Sequence, residues 1–493
     1  MDELNRKMAS GAVWMAMLRV SVRLVGLVST MILARLLVPS DFGLVSMAMS
    51  VLAFLELATS FNFDIPLIQN QQADSRHFDS AWTLTLLFYT ALTVLLLLLA
   101  QPAAAFYHEP RLTAVIYVLA GGFLAKGFEN IGVVHFRKDL HFHKDFILMF
   151  GKKLVSVVIT VPLAFYLRSY WALVVGIVVG NVLGVILTYV VHPFRPRLSL
   201  VAAGEMLSFS KWLVLNNGFA FLRVRSSDFV VGRISGSSAL GLFNLAFEIS
   251  TLPTTELVAP INRAVFPGYA KLAGSVQALK DSYLDVLAIV AFVAIPASFG
   301  ISATSDLIVD VFLGERWANA APLVAMLAIF GGLNAIQTNS GSVFNARGKP
   351  YLISFVALVN VVLLLGSCIP LALKFGPAGV AAGYVGSYLV LAPLTYYMVY
   401  REVQAGFRDH LKILWRPALA SLIMFGVVGY VRQLIDARES LSSIEQLAIL
   451  VITGACTYAA VALVLWYGSG RPRSPEYRLG LAVLRKLGAT GPA

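Results

Sequence analysis

The chain has 493 residues, of which 58% are hydrophobic and only 13% are charged. A soluble protein carries about a quarter charged residues, so the composition excludes a soluble fold with a polar coat. The net charge of +12 does not indicate nucleic-acid binding, because the basic residues lie in short connections between apolar runs.

These apolar runs are long enough to span a bilayer, which takes about 20 residues of helix. They predict an all-α membrane protein with about 14 transmembrane helices. We number the predicted spans as segments 1 to 14, in chain order 10–34, 42–66, 80–101, 112–133, 146–167, 171–191, 206–232, 239–260, 283–304, 319–344, 352–373, 378–400, 413–431 and 445–467.

The distribution of Lys and Arg predicts the orientation of these segments. The connections on the side of the N-terminus, with the adjoining helix ends and both tails, carry 25 of the 38 basic residues. The connections on the opposite side carry 8, and five more lie within segments. Since cytoplasmic connections are enriched in Lys and Arg, both termini are predicted to be cytoplasmic.

An internal repeat divides the segments into two groups of six. Residues 8–46 match residues 206–244 at a fixed offset of 198, so that Trp14 aligns with Trp212 and Gly43 with Gly241. The predicted parts are an N-terminal six-helix bundle (1–200), a second bundle (201–405), two appended helices (406–470) and a basic cytoplasmic tail on the membrane surface (471–493). Because each copy has an even number of helices, the copies are expected to be related by an axis along the membrane normal.

Four arginines within segments are the first functional candidates, because charges inside a bilayer are costly. Arg19 and Arg23 lie four residues apart on segment 1, and Arg223 and Arg225 lie on its repeat partner, segment 7. We expect a polar cavity between the two bundles, lined mainly by segments 1, 2, 7 and 8. Planar guanidinium groups in such a cavity suit a phosphate or a diphosphate.

Other polar groups in the segments are candidates to line the same cavity or to carry a coupling ion. They are Glu56, Asp228, Glu248, Glu256, Asn216 and Asn217. Two pairs spaced three residues apart, Lys126 with Glu129 and Arg225 with Asp228, have a purely structural alternative as ion pairs within or between helices. Arg35 and Arg233 are interpreted as loop anchors.

Motifs of catalysis and of nucleotide binding are absent from the sequence. It has no GxxxxGK[ST], HExxH or GxSxG with triad context, and its two cysteines have no metal-ligand spacing. We therefore expect no enzymatic activity, no cofactor and no metal. The short connections also argue against a membrane-embedded glycosyltransferase or polymerase.

The motif LARLLVPSDFGLVSMAMSVLAFLELATSFNFDIPLIQ and the run FNARGKPYLISFVALVN at 344–360 carry a family resemblance. Over about residues 8 to 467, the chain resembles bacterial oligosaccharide flippases (Wzx-like) of the multidrug/oligosaccharidyl-lipid/polysaccharide exporter superfamily. Within that superfamily it is most similar to the branch of colanic acid exporters.

The resemblance implies a V-shaped pair of six-helix bundles around a cationic cavity. It also implies a substrate, an undecaprenyl-diphosphate-linked oligosaccharide flipped to the periplasmic leaflet by ion- or potential-driven alternating access. Membrane lipids and the polymerase and chain-length or export proteins of one pathway are the other expected partners. A multidrug-type antiporter and a peptidoglycan-precursor flippase of the same superfamily remain as alternatives.

Overall fold

The structure is a computed structural model that describes residues 2–58, 64–70, 72–436 and 441–470. Within these ranges, the side chains of 2–9, 12, 57–58, 206–220, 223 and 224 lie outside the description. The chain forms two compact units, Met1–Gly241 and Leu242–Ala493. The predicted boundary near residue 200 was drawn from the repeat rather than from contacts, and it stays a prediction.

The first unit consists of eight helices and most of a ninth in its described part. They are α1 (Asp2–Leu36), α2 (Pro39–Ala58), α3 (Asp64–Gln69), α4 (Ser75–Tyr107), α5 (Arg111–Gly127), α6 (Val134–Lys138), α7 (Phe142–Leu167), α8 (Trp171–Val191) and α9 (Ala203–Ser250). Helix α7 packs against α1 and α8, and α5 packs against α2, α4 and α8.

The second unit begins near the end of α9. Its further helices are α10 (Ala259–Leu272), α11 (Val276–Ala303), α12 (Ser305–Phe312), α13 (Ala321–Ala346), α14 (Tyr351–Val403), α15 (Phe407–Asp436) and α16 (Ser443–Gly468). Helix α11 lies at its centre, against α13 and α15, and one apolar core joins residues of α10, α11, α13 and α14. A second core joins α15 and α16 to the start of α12.

The helix content confirms the predicted fold class. Two helices, α9 and α14, are broken at glycines with positive φ, Gly236 (φ 81°) and Gly376 (φ 61°). Glycine adopts this backbone conformation without steric cost, so the chain can change direction at each break between the two helical parts. When the two parts of each broken helix are counted separately, the described ranges contain 15 helices of 14 residues or more.

Ten helices of the described ranges are long and apolar enough to cross a membrane, or eleven if a bent pair is one span. The bent pair corrects segment 4, predicted as one helix over 112–133. Helix α5 ends at Gly127, and the chain bends by 60° into residues 131–138. Of predicted segment 2 (42–66), α2 covers the part to Ala58 and α3 begins at Asp64, and residues 59–63 lie outside the described residues.

Side-chain caps explain where several helices begin. Asp74 accepts hydrogen bonds from the backbone N–H groups of Arg76 and His77 at the start of α4. Ser442 and Glu445 form a reciprocal capping box at the start of α16. These caps satisfy N–H groups that the first turn of a helix leaves without a partner.

Two glycines that the repeat aligns pack directly against each other in the first unit. A Cβ atom on Gly43 of α2 would collide with the carbonyl oxygen of Ser237, and one on Gly241 would collide with that of Pro39. Pro39 and Ser237 are themselves separated by the repeat offset of 198. The contact is therefore locally symmetric, as expected where equivalent elements of two parallel repeats meet.

Candidate functional site

A row of glycines on α8 packs against α7 and contacts the side chain of Lys152. Gly176, Gly180 and Gly184 recur every four residues, and each faces a side chain of α7. A Cβ atom on Gly184 would lie 3.4 Å from Cγ of Lys152. Small residues at this spacing let two membrane helices approach closely, so the stem of Lys152 rests on α8.

Three ion pairs surround one cavity of about 220 Å³ in the first unit. Lys126 Nζ lies 3.0 Å from Glu56 Oε1 of α2, which fixes the end of α5 to α2. Glu129, just beyond α5, has its Oε1 2.5 Å from Lys152 Nζ of α7. Of the two structural alternatives for these residues, the structure shows ion pairs between helices, because Lys126 binds α2 and Glu129 binds α7.

The third ion pair at this cavity involves Arg137 of α6, which contacts Asp64 and also Asp145 of α7. Arg137 Nη1 lies 3.6 Å from Asp64 Oδ2, and Arg137 Nε lies 3.3 Å from Asp145 Oδ2. The side chain of Asp145 is only 3% exposed. A carboxylate this deeply buried needs a charged hydrogen-bond partner, and Arg137 supplies it.

A buried carboxylate on α9 forms the second polar site. Asp228 is 3% exposed, and its Oδ2 lies 3.0 Å from Arg225 Nη1. This confirms the pairing within one helix that their spacing predicts. The hydroxyl of Ser50 on α2 lies 2.8 Å from the same oxygen and donates to it, so Asp228 also connects α9 to α2.

Beyond Asp228 along α9, two side chains of α9 form hydrogen bonds with the connection between α4 and α5. Arg233 Nη1 donates to Nδ1 of His108 at 2.6 Å, and the hydroxyl of Ser237 donates to Glu109 at 3.2 Å. Arg233 is therefore an anchor, as predicted. Arg111 donates twice to Glu109, and these hydrogen bonds hold the pKa of Glu109 below its usual range.

The two arginines of α1 lie one turn apart with half-buried side chains. Helix α1 packs against α7, where the ring of Trp14 lies 5.3 Å from that of Phe146. Arg19 forms no ion pair with any residue that the structure describes. Arg23 lies three residues before Gly26, and a Cβ atom on Gly26 would lie 3.7 Å from Nζ of Lys153.

The remaining predicted residues lie apart from these sites or outside the description. The side chains of Arg223, Asn216 and Asn217 are outside the described set. Glu248 and Glu256 are half-buried, and Glu256 lies in a widened helical turn over Pro253–Val258. Whether these residues share a cavity with α1 stays a prediction.

Sequence reasoning missed Lys152, Arg137 and Asp145 as members of a polar site. All three were assigned to the basic connection between segments 4 and 5, whose charges serve orientation. The position of Lys152 in the sequence could have indicated its role. It lies ten residues after the start of α7, about 15 Å along the helix, which is too far for a residue of the connection.

Comparisons with known proteins agree with the helical arrangement. A family model described as polysaccharide biosynthesis protein matches residues 32–322. The chain belongs to this polysaccharide biosynthesis protein family. The chain is a multi-pass membrane protein, with apolar helices along nearly all of the described sequence.

Relatives within this family match most of the chain. It is 24% identical to the lipopolysaccharide biosynthesis protein WzxC of Escherichia coli strain K12, over 85% of this chain and 86% of that protein. It is 26% identical to the teichuronic acid biosynthesis protein TuaB of Bacillus subtilis strain 168, over 93% and 95%. It is 21% identical to the succinoglycan biosynthesis transport protein ExoT of Rhizobium meliloti strain 1021, over 89% of each.

Solved structures share the fold of this family member. The lipid II flippase MurJ in its inward closed conformation matches with a TM-score of 0.74 at 14% identity, over 92% of this chain and 99% of that chain. An inward-facing multidrug resistance transporter of the MATE family matches with a TM-score of 0.58 at 15% identity, over 78% and 95%. At these identities the likeness establishes the fold alone.

Proposed function

We propose that the protein is a flippase for undecaprenyl-diphosphate-linked oligosaccharide repeat units. It moves them from the cytoplasmic to the periplasmic leaflet of the bacterial inner membrane during exopolysaccharide biosynthesis, with both of its termini in the cytoplasm. The observation that carries the proposal is the family match over residues 32–322. Relatives named for polysaccharide biosynthesis and for succinoglycan transport cover most of the chain and support it.

The charges on α1 are compatible with this cargo. A lipid diphosphate must leave water to cross the membrane, and its cost of transfer falls when fixed cations replace the lost hydration. Arg19 and Arg23 project from one face of a membrane helix and are half-buried. We assign the main diphosphate contact to these two residues of α1, with Arg223 and Arg225, which pairs with Asp228, as further candidates.

Alternating access then moves the cargo without chemical conversion, and no step requires a catalytic group or a cofactor. The remaining polar candidates, Glu56, Asp228, Glu248, Glu256, Asn216 and Asn217, are assigned to polar surfaces that the moving helices present to the cargo or to a coupling ion. Polymerase and chain-length or export proteins would use the flipped product.

Deletion of the gene tests the proposal. We expect undecaprenyl-diphosphate-linked glycan to accumulate in the membrane, extracellular polymer to disappear, and drug sensitivity to stay unchanged. Normal polymer with increased drug sensitivity would contradict the proposal and favour a multidrug-type antiporter. Accumulation of the peptidoglycan precursor alone would favour the alternative of a peptidoglycan-precursor flippase.

A further inference from the structure

Four residues of α9, each four positions after the last, alternate between phenylalanine and arginine. They are Phe221, Arg225, Phe229 and Arg233, which we call the α9 stripe. Residues four apart are neighbours on one face of a helix, so the stripe follows α9 for about 18 Å. It ends just before the break at Gly236. The first three residues are half-buried and Arg233 is exposed.

Phenylalanines of two neighbouring helices extend the stripe into a row of aromatic rings. The ring of Phe221 lies 5.9 Å from that of Phe54 on α2 and 6.2 Å from that of Phe229. The ring of Phe229 lies 6.4 Å from that of Phe106 on α4. The Arg233 guanidinium lies 5.8 Å from the centre of the Phe106 ring. Since Phe54 is 53% and Phe106 44% exposed, the row is an open surface of the first unit and not a closed core.

The two arginines of the stripe keep hydrogen-bond donors for a ligand. Arg225 donates through Nη1 to Asp228, and Arg233 donates through Nη1 to His108. Toward the residues that the structure describes, neither arginine donates through Nε or Nη2. A guanidinium carries five N–H donors in one plane, so each arginine still presents several. A ligand that fits this surface therefore needs an apolar face together with hydrogen-bond acceptors.

The internal repeat places the start of the stripe at the depth of the arginines of α1. Phe221 lies 198 positions after Arg23. In the predicted orientation, the stripe runs from this depth towards the periplasmic end of α9. In the first copy of the repeat, the next two stripe positions are occupied by Leu27 and Met31. The alternation of rings and guanidinium groups is therefore not part of the framework that both copies share.

The chemistry of the stripe distinguishes the three parts of a lipid-linked oligosaccharide. An isoprenoid chain has no hydrogen-bond acceptor and would leave the guanidinium groups facing hydrocarbon, which is costly. A diphosphate would match the arginines but not the rings between them. A sugar ring presents C–H groups on its faces and hydroxyl groups at its rim. Its faces pack on aromatic rings, and its hydroxyl oxygens accept from guanidinium N–H groups.

We propose that the α9 stripe is the surface of the first unit that binds the glycan of the cargo. While Arg19 and Arg23 hold the diphosphate, the sugar rings beyond the first one pack on the two phenylalanines of the stripe. The two arginines of the stripe donate hydrogen bonds to their hydroxyl oxygens. Different helices of one unit thus bind the diphosphate and the glycan. The inference rests on the function and the orientation proposed above.

Two cargoes with glycans of different length test this assignment. Purified full-length protein in liposomes receives either the lipid diphosphate with its complete repeat unit or the same lipid diphosphate with its first sugar only. The second cargo is extracted from cells that lack the later glycosyltransferases. The readout is the rate at which each cargo reaches the opposite leaflet, measured well below saturation. A lost glycan contact slows the complete cargo alone, whereas a folding defect slows both.

The double variant Phe221→Leu with Phe229→Leu keeps apolar side chains but removes both aromatic faces. An aromatic contact contributes roughly two- to tenfold in affinity, so we expect the complete cargo to move at least about fivefold more slowly. The one-sugar cargo should keep the wild-type rate. The double variant Phe221→Tyr with Phe229→Tyr should keep both rates, because tyrosine retains the ring.

Phe425→Leu is the matched control. Phe425 lies on α15 in the second unit, is 40% exposed, and has its ring 6.2 Å from that of Phe299. Both cargoes should move at the wild-type rate in this variant. Arg19→Ala is the opposite control, and it should slow both cargoes because both carry the diphosphate.

The outcomes separate the two proposals. Equal slowing of both cargoes by the leucine variant, or wild-type rates for both, would overturn the glycan site and leave the flippase proposal in place. The same selective slowing in the tyrosine variant would also overturn the glycan site, because loss of the rings would not be its cause. If the wild-type protein moves neither cargo between leaflets, the flippase proposal itself fails.

Discussion

The arginines of α1 are the residues on which the proposed cargo depends most directly. A hydrogen bond between charged groups contributes about 1.5–3 kcal/mol, which corresponds to roughly ten- to a hundredfold in affinity. We expect Arg19→Ala and Arg23→Ala each to reduce polymer export by about tenfold or more, with normal protein levels in the membrane. Secreted polymer and immunoblots of membrane fractions would measure both quantities.

The control for these variants is Arg76→Ala. Arg76 is exposed at the start of α4. Replacing its side chain by alanine leaves the helix cap intact, because Asp74 binds the backbone N–H group of residue 76 and not its side chain. Export should stay at the wild-type level. Full export by both α1 variants would remove α1 from the diphosphate site.

Asp228 should matter for stability through its contacts to two helices. Asp228→Ala removes the carboxylate that pairs with Arg225 and leaves the Ser50 hydroxyl only its contact with the Ser46 carbonyl oxygen, and we expect a loss of about 1–3 kcal/mol. Ser50→Ala removes a hydroxyl that contacts Asp228 and the Ser46 carbonyl oxygen but leaves the Arg225–Asp228 pair in place, so it should cost less, about 1 kcal/mol. Thermal unfolding of the purified protein in detergent would rank the variants, with Asp310→Asn on the exposed face of α12 as the control.

An unchanged melting temperature for Asp228→Ala would contradict this role of the buried pair. The sequence predicted the contact between Arg225 and Asp228 because both residues lie on one helix, where spacing fixes distance. It could not predict Ser50 as the third member. That contact depends on the packing of α2 against α9 across 178 positions.

At the scale of elements, the reciprocal glycine contact is the sharpest constraint. Gly43→Ala would place a methyl group against the backbone carbonyl of Ser237, which cannot move as a flexible side chain does. We expect α2 and α9 to separate at this point, with reduced export and a lower melting temperature. Gly121→Ala is the control, because nothing lies within 4 Å of a Cβ atom there.

Equal stability of the two glycine variants would contradict the close approach. The repeat in the sequence aligned Gly43 with Gly241 but could not show that the aligned residues touch. Likewise, apolar periodicity located the long helices well and missed the bend after Gly127. The reason is that Asn130 stabilises this bend with hydrogen bonds to His192 and Phe194, which are distant in sequence.

Whole-molecule topology was predicted from charge distribution, and the membrane orientation stays a prediction that labelling can test. We expect a membrane-impermeant maleimide to label Arg168→Cys in intact cells, because the connection between α7 and α8 is assigned to the periplasm. Arg195→Cys, on the opposite side, should react only after the membrane is opened. The wild-type protein, whose Cys368 is buried and whose Cys456 lies in α16, is the labelling control.

The reverse pattern of labelling would contradict the predicted orientation, with both termini then in the periplasm. The candidate site also depends on contacts between residues that are distant in sequence, which the sequence alone did not predict. Composition and charge predicted a polar cavity between the two bundles, which stays a prediction. They could not predict that Lys152 pairs with Glu129 at the cavity of the first unit, because that contact depends on the packing of α7 against α8.

The leaflet in which the lipid-linked glycan resides tests the central claim most directly. A membrane-impermeant oxidant applied to spheroplasts reacts only with glycan on the periplasmic face. In cells without the gene, the accumulated lipid-linked glycan should be protected, and expression of the protein should make it reactive. Glycan that is already reactive in the deletion strain, with no change on expression, would contradict a flippase.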